Sequence, residues 1–498
     1  PYPSGAWRWE LQLPPGGWAE VVVVLPHLEE GQRPDPPAWR EAASGGRSAG
    51  AAFAAELEQA ARRWRERLGR VVFRLPQQAQ EVLDTARANE AFVLINRDGP
   101  ALQPGARAYR RSWIRDGAMM AAALLRLGHA REVKDFARWY APFQYEDGKV
   151  PCCVDHRGAD PVPEHDSHGQ FIFLVAETVR ITGDRAFAAE LWPRVEAAGR
   201  AIDALRHQRR TPAFREGEAR RFFGLLPESI SHEGYSARPM HSYWDTFWAL
   251  RGLADAAWLA GELGDRQAAR HWARSARELE EDVQASLAAT MAQHGIDYLP
   301  GCAELGDFDP TSTTVALSPA GIAHRLPRPA LERTFTRYWQ HFVARRDGQT
   351  PWVDFTPYEL RTVGSFLRLG WRERAWELLE WFSRHRQPPA WRQWPEIVWS
   401  DPVTARFLGD LPHTWVGSDF LRAFLDIFAH ERPGDEALVL AAGVPPGWLE
   451  SGEEIAVRGL GTYYGPLTYS LRTQEGKVRL RMEAGVRIPP GGLVVALP

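Results

Sequence analysis

The chain has 498 residues, of which 25% are charged, and a formal net charge of −3. Near-neutral charge argues against nucleic acid as the main partner, and no apolar run reaches the roughly 18 residues that a membrane-spanning helix needs. Three cysteines are too few for a disulfide framework in a chain of this length. At about 150 residues per domain, the length allows roughly three domains, or one large domain with small ones.

The tryptophan content is the unusual feature of the composition, with 22 residues. An indole ring offers a flat apolar face and one hydrogen-bond donor, which suits it to stacking on sugar rings in a wet cleft. Most tryptophans are nevertheless expected to pack between helices. The count therefore suggests a carbohydrate ligand without identifying a site.

The chain begins with a β-like pattern. Residues 7–13 alternate between apolar and polar side chains, Pro14–Gly17 has the composition of a turn, and residues 21–25 form a second apolar run. Such a hairpin is too small to be stable alone. Because the chain has neither an initiator Met nor a signal peptide, residues 1–30 are expected to belong to a β domain whose earlier part is missing.

A linker and a long helical region follow. Residues 31–50 are rich in Gly, Pro and Arg, and a helix is predicted over 51–69, so 31–75 is interpreted as linker and helix. From 76 to 432, helices that are apolar on all sides alternate with amphipathic ones. This pattern is typical of inner and outer helices, and it predicts an (α/α)6 toroid of six hairpins. A stacked α-solenoid is the alternative, but the uneven spacing of the glycine stop signals disfavours it.

The pattern changes to short strands after Pro433, which predicts a small C-terminal β-sandwich-like domain over 433–498. The predicted strands are Ala437–Ala441, Glu454–Val457, Leu467–Thr473, Val478–Glu483 and Leu493–Leu497. The fold class is thus mainly α, with flanking β elements.

Two loops of the helical region carry a carboxylate directly after a proline and close to aromatic residues. Glu228 lies in one loop and Glu396 in the other, each ahead of a predicted inner helix. Glycosidic bond cleavage needs two carboxyl groups, one protonated and one ionised. The pattern predicts a catalytic pair and leaves open which residue takes which role.

Three segments resemble glycoside hydrolase family 15, the glucoamylases, and occur in the family's order. They are Tyr109–Ala118 (YRRSWIRDGA), Gly224–Ser229 (GLLPES) and Trp394–Ile397 (WPEI). The resemblance implies a six-hairpin glycosidase and an inverting, exo-acting α-glucosidase. In it, Glu228 would be the general acid and Glu396 the general base, while Arg115 and Asp116 would bind the terminal sugar. Pro227 and Ser229 differ from the family at positions that shape the first sugar site.

Further substrate contacts are predicted around this pair. Trp113, Trp244 and Trp394 are candidate stacking platforms, and His165, Asp166 and Gln170 are candidate sugar ligands. Asp245 follows Trp244 and is the rival general acid, because trehalase-like relatives place an aspartate after a tryptophan.

No cofactor or metal is expected, because His165, Asp166 and His168 match no standard metal-ligand spacing. The expected partner is an oligo- or polysaccharide. A six-hairpin glycosidase of another specificity, either trehalase-like or acting on β-linkages, is one alternative. A disaccharide phosphorylase, a polysaccharide lyase and a non-catalytic glycan-binding protein are the alternatives from other classes.

Overall fold

The structure is a computed structural model that describes residues 8–19, 21, 23, 49–403 and 406–498. The chain divides into two compact units, Pro1–Arg70 and Val71–Pro498. In the first unit, helix α1 spans Ala49–Leu68. Residues 8–19 contain a turn, in which the Gly17 N–H donates to the Pro14 carbonyl at 2.8 Å, but no strand.

The predicted N-terminal hairpin is therefore wrong for residues 8–13. Most of its second run, residues 21–25, and most of the predicted linker over 31–50 lie outside the described residues. The helix predicted over 51–69 is confirmed. Alternation of side chains over so few residues does not make a strand unless a partner strand accepts its backbone hydrogen bonds.

Twelve helices of the described chain form the barrel. They are α2 Gln80–Ile95, α3 Ile114–Arg126, α4 Ala130–Tyr140, α5 Asp166–Thr182, α6 Arg185–His207, α7 Tyr243–Glu262, α8 Arg266–His294, α9 Pro310–Leu317, α10 Arg328–Arg346, α11 Arg361–Arg368, α12 Arg372–Arg384 and α13 Thr414–Phe428. The odd-numbered helices from α3 to α13 form an inner ring, in which each packs against the next and α13 packs against α3. Because the ring closes, the chain is a toroid and not a solenoid.

The burial of the helices follows the sequence pattern. Every residue of α3 is buried, whereas α4 buries only one face. The turn between α5 and α6 shows why the hairpins are short. Gly183 adopts a positive φ of 69° and ends α5, and the Asp184 side chain accepts the Phe187 N–H and caps α6.

All six inner helices begin at the same end of the barrel. Trp244, at the start of α7, donates a hydrogen bond to Asp166, at the start of α5. Arg361, at the start of α11, lies over the ring of Trp415, at the start of α13, at 5.5 Å. The loops that precede these helix starts therefore converge on the barrel axis.

Short strands accompany the barrel helices, and those of the C-terminal region form most of two sheets. They are β1 Val72–Arg74, β2 Ser112–Trp113, β3 Cys153–Asp155, β4 Gly158–Ala159, β5 Asp354–Phe355, β6 Val398–Trp399, β7 Ala429–Arg432, β8 Ala437–Leu440, β9 Ile455–Thr462, β10 Gly465–Gln474, β11 Lys477–Met482 and β12 Leu493–Val495, with a short helix α14 at Pro446–Glu450. One sheet has the order β1-β9-β10-β11 and the other β12-β8-β7. Strand β1 was not predicted from the sequence, because its three residues form a pattern only beside β9.

Both sheets belong to the same compact unit as the barrel. Among the described residues, no helix is both long and apolar enough to cross a membrane.

Candidate active site

A buried arginine lies at the centre of the converging loops. Arg115 is only 3% exposed and belongs to the first turn of α3. Its guanidinium forms an ion pair with Glu164 and lies 3.7 Å from carboxylate oxygens of Asp116, Asp166 and Glu233. One arginine thus faces four carboxyl groups, which come from three different loop and helix-start segments.

Two carboxylates beside Arg115 have buried oxygens that receive no hydrogen bond from the described residues. They are Asp116 Oδ2 and Asp166 Oδ1. The other oxygen of Asp166 accepts hydrogen bonds from Gln170 at 2.7 Å and from Trp244 at 2.8 Å, which fixes the orientation of this carboxylate. Buried polar atoms without partners are costly, so these oxygens are suited to bind the hydroxyl groups of a ligand.

The excess of carboxyl groups perturbs their titration. Burial raises the pKa of Asp116 well above its usual range, and the nearby charges of Glu233 and Glu396 raise it further, while Arg115 opposes them. Burial likewise raises the pKa of Glu164 to about 7. Strongly perturbed carboxyl groups clustered around one arginine are typical of active sites.

Glu396 lies in the loop before α13, beside this cluster. The hydroxyl groups of Tyr109 and Tyr358 both donate to its carboxylate, the latter at 3.1 Å. Burial raises the pKa of Glu396 above its usual value, while the two phenol hydrogen bonds lower it in part. Because both donors stabilise the ionised form, they prepare this carboxylate to accept a proton.

Glu233 is the second loop carboxylate of the cluster, and the sequence reasoning missed it. Its side chain is 55% exposed, and Oε1 lies 3.7 Å from Arg115 Nη2. The residue has a positive φ of 66°, which is uncommon for a non-glycine residue. It lies five residues after Glu228 in the loop that had been singled out, but the sequence contains no signal of its backbone conformation.

Glu228, the predicted general acid, has different surroundings. It forms an ion pair with Arg209, and its Oε2 lies 3.8 Å from His241 Nε2. Partial burial acts to raise its pKa, but a backbone hydrogen bond and the neighbouring His241 and Arg209 side chains hold the pKa below its usual value. This environment favours the carboxylate and is unfavourable for a proton donor, so the assignment of Glu228 stays a prediction for experiment.

Asp245, the rival acid, is 1% exposed and lies beneath the loop that carries Glu233. The hydroxyl groups of Ser229 and Ser231 lie 2.5 Å and 2.7 Å from its two oxygens. Asp245 therefore contacts the loop and not an open cleft.

The predicted stacking platforms are corrected by burial. Trp394 is 1% exposed and donates to the Phe382 carbonyl at 2.8 Å, inside the barrel wall. Trp244 is equally buried, and its ring stacks on His232 at 4.8 Å. Neither ring has a face free for a sugar, so the prediction is wrong for both. Trp113 is 9% exposed and stays a candidate.

His165 is 7% exposed and precedes Asp166 at the start of α5. Burial lowers its pKa to about 4, so the imidazole is neutral near pH 7. Together with Gln170 and Asp166 it stays a predicted sugar ligand.

Solved structures of other proteins share the fold of this chain. No family model and no curated protein matches the sequence. The chain is similar to a GH78 family rhamnosidase of Bacillus sp. GL1, with 14% identity and a TM-score of 0.59 over 86% of this chain and 42% of that protein. It is also similar to an α-L-rhamnosidase from Dictyoglumus thermophilum, with 12% identity and a TM-score of 0.56 over 85% of this chain and 45% of that one.

A third neighbour, named only as a wild-type glycosidase, has 14% identity and a TM-score of 0.50 over 71% of this chain and 99% of its own. The chain spans less than half the length of the two rhamnosidases. At these identities the likeness shows the fold, an α toroid with an accompanying β region, and confirms the predicted fold class. These neighbours do not support the narrower resemblance to family 15.

Proposed function

We propose that the chain is a glycoside hydrolase that acts at the carboxylate cluster around Arg115. The observation that carries the proposal is the pair of loop carboxylates beside the buried Arg115–Asp116 pair. Glu396 and Glu233 come from different loops, and the charges of both act on Asp116 and on Tyr109. Two carboxyl groups in unlike surroundings beside buried hydroxyl-binding oxygens are what glycoside hydrolysis requires.

The proposed mechanism assigns a role to each group. Asp116 and Asp166 bind hydroxyl groups of the terminal sugar, and Arg115 holds both carboxyl groups in place. Glu233 donates a proton to the glycosidic oxygen. Glu396 takes a proton from a water molecule that attacks the opposite face, so the anomeric configuration inverts. Tyr109 and Tyr358 keep the Glu396 carboxylate ionised and correctly oriented until the water is deprotonated.

The proposed substrate is an oligo- or polysaccharide cleaved from its non-reducing end as an α-glucoside, as the motif resemblance implies. An α-L-rhamnoside is the second candidate, because two of the similar structures are rhamnosidases. Both are neutral sugars, which suits a cluster in which carboxylates outnumber arginine.

The test is a panel of α- and β-linked glucosides and rhamnosides, with proton NMR of the first anomer released. We expect hydrolysis with inversion and no requirement for phosphate. A product of the same configuration would refute the inverting assignment. Release that depends on phosphate would identify a phosphorylase, and an unsaturated product a lyase. Binding without turnover on the whole panel would leave a glycan-binding protein.

Matched variants separate the two candidate acids. We expect Glu233→Gln and Glu396→Gln to lower kcat by at least about 10²-fold, the range of general acid and base contributions. Glu228→Gln, the same change in the same loop, should retain activity within about tenfold. The reverse result for Glu228 and Glu233 would restore the assignment made from the sequence motif.

A further inference from the structure

The loop that carries Glu233 is attached to the barrel by a chain of buried hydrogen bonds. Ser229 Oγ and Ser231 Oγ contact the two oxygens of Asp245, and the Ser231 N–H donates to Ser229 Oγ at 2.8 Å. Ser231 Oγ also lies 3.0 Å from His232 Nδ1. On the other side of the ring, His232 Nε2 lies 2.9 Å from Ser312 Oγ.

The donors and acceptors of this series of hydrogen bonds can be assigned by starting at Ser312, its last member. Asp309 caps α9, and its Oδ1 accepts the Ser312 backbone N–H. The single hydroxyl hydrogen of Ser312 points to Asp309 Oδ2 at 2.5 Å. Ser312 Oγ therefore has no hydrogen left for the imidazole, and His232 Nε2 must be the donor.

The same assignment of hydrogen atoms leads from His232 to Asp245. Burial lowers the pKa of His232 to about 4, so the ring is neutral and carries its only N–H on Nε2. Its Nδ1 is then an acceptor that takes the hydroxyl hydrogen of Ser231. Ser231 Oγ also lies 3.0 Å from Ser242 Oγ, which has its own hydroxyl hydrogen to donate. With the Ser231 hydrogen on His232 Nδ1, none is left for Asp245 Oδ1, 2.7 Å away, so the count assigns the hydrogen of that contact to the carboxyl group.

The charges around Asp245 agree with a protonated acid. Burial raises its pKa well above the usual range, and the carboxyl groups of Asp166 and Glu164 raise it further, while the two serine hydroxyls act in the opposite direction. The guanidinium groups of Arg115 and Arg361 act on His232, where they oppose its protonation, and Asp309 acts in the opposite sense.

We propose that Asp245 is a positioning residue that holds the Glu233 loop as a neutral carboxylic acid, accepting a hydrogen bond from Ser229 and donating one to Ser231. The inference rests on the proposed role of Glu233 as proton donor. In this arrangement Asp245 gives no proton to substrate. It fixes the segment between Ser229 and Ser231, and His232 is fixed in turn between the ring of Trp244 and Ser312, so the backbone at Glu233 has little freedom to move.

Two substitutions at one position test the proposal. An asparagine has one acceptor and one donor in the places where the neutral acid has them, so Asp245→Asn should keep kcat within about threefold. Asp245→Ala removes both bonds, and we expect kcat on an oxygen-linked disaccharide to fall about 10²-fold, the cost of a small misplacement of a catalytic group.

The leaving group distinguishes positioning of an acid from a general structural role. A glycosyl fluoride of the same sugar needs little protonation on departure, so Asp245→Ala should reduce its hydrolysis only a few-fold. If Asp245→Asn loses as much activity as Asp245→Ala, the residue is an ionised acceptor or the catalytic acid, and the proposal is wrong. Equal losses on disaccharide and fluoride would also refute it.

A serine variant and an infrared measurement test the proposal independently of Asp245→Ala. If Asp245→Ala does not fold, Ser231→Ala should show the same dependence on leaving group. The infrared carbonyl band of a protonated carboxylic acid should be present in the wild type at neutral pH and reduced in Asp245→Asn. This band requires no substrate, so its absence refutes the proposal even if no hydrolysis is found, whereas lack of hydrolysis by the wild type refutes the proposed function alone.

Discussion

Gly409 offers a way to move the general base without changing its chemistry. The residue has a positive φ of 67°, and a Cβ atom there would lie 2.8 Å from both Cβ and Oε2 of Glu396. Ordinary contacts begin at about 3.4 Å, so Gly409→Ala must displace Glu396 or the glycine loop by about 0.6 Å. The same Cβ would lie 3.2 Å from Tyr109, which limits the directions in which the loop can yield.

Two consequences of Gly409→Ala can be separated. An alanine in the left-handed region costs roughly 1–2 kcal/mol of folding free energy. Displacement of the base by about half an ångström should lower kcat about 10- to 100-fold, since a 1 Å misplacement can cost about 10²-fold. The assays are the urea midpoint for stability and steady-state kinetics on the substrate found with the panel.

Gly348→Ala is the matched control. Gly348 has a φ of 71°, and a Cβ there would meet nothing within 4 Å. Both substitutions should therefore lower stability through the strained backbone, Gly409→Ala at least as much as Gly348→Ala because of its close contacts, while only Gly409→Ala lowers kcat. An equal loss of kcat in both variants, or full activity in Gly409→Ala, would refute the view that this glycine is needed for the position of Glu396.

Two further predictions concern stability. The pKa of Glu164 is raised from 4.5 to about 7 in the folded chain. Its contribution to stability is therefore fully present below pH 4.5 and is lost as the pH rises to about 7, a change of about 3 kcal/mol. The urea midpoint of Glu164→Gln should vary less with pH across this window than that of the wild type, and an unchanged pH dependence would contradict the assignment. Trp394→Phe removes the hydrogen bond to the Phe382 carbonyl and opens a small cavity, so unfolding free energy should fall by about 2 kcal/mol with KM unchanged, whereas a raised KM would show that the indole contacts substrate.

The sequence predicted the barrel well, because its signals are local. An inner helix is buried on all sides and an outer helix on one side, so apolar periodicity distinguishes them along the chain. Glycine stops and aspartate caps, as at Gly183 and Asp184, place the turns within a few residues. The strand predicted over residues 8–13 is not formed for the opposite reason, since a strand depends on a partner that a sequence pattern does not reveal.

The site was predicted only in part. The motif around Arg115 and Asp116 and the loop of Glu396 all contribute to one cluster, because each precedes or begins an inner helix. The role of Glu228 as general acid stays a prediction, because the structure brings a second glutamate of the same loop, Glu233, beside Arg115. Which of its glutamates approaches Arg115 depends on the positive φ of Glu233, and the charge state of Glu228 depends on Arg209, nineteen positions earlier in the chain.

The tryptophans also separate what the sequence determines from what the tertiary structure decides. The sequence by itself determined how many there are and that some lie near helix starts, but only the tertiary structure decided that Trp244 and Trp394 are buried. Periodicity determines which face of a helix is apolar, because the side chains of one face recur along the chain. It does not determine which loop side chains meet across the barrel axis, because those distances depend on six helices closing into one ring. The toroid was therefore readable from the sequence, whereas the partners of Arg115, the attachment of the Glu233 loop to Asp245 and the contact between Gly409 and Glu396 were not.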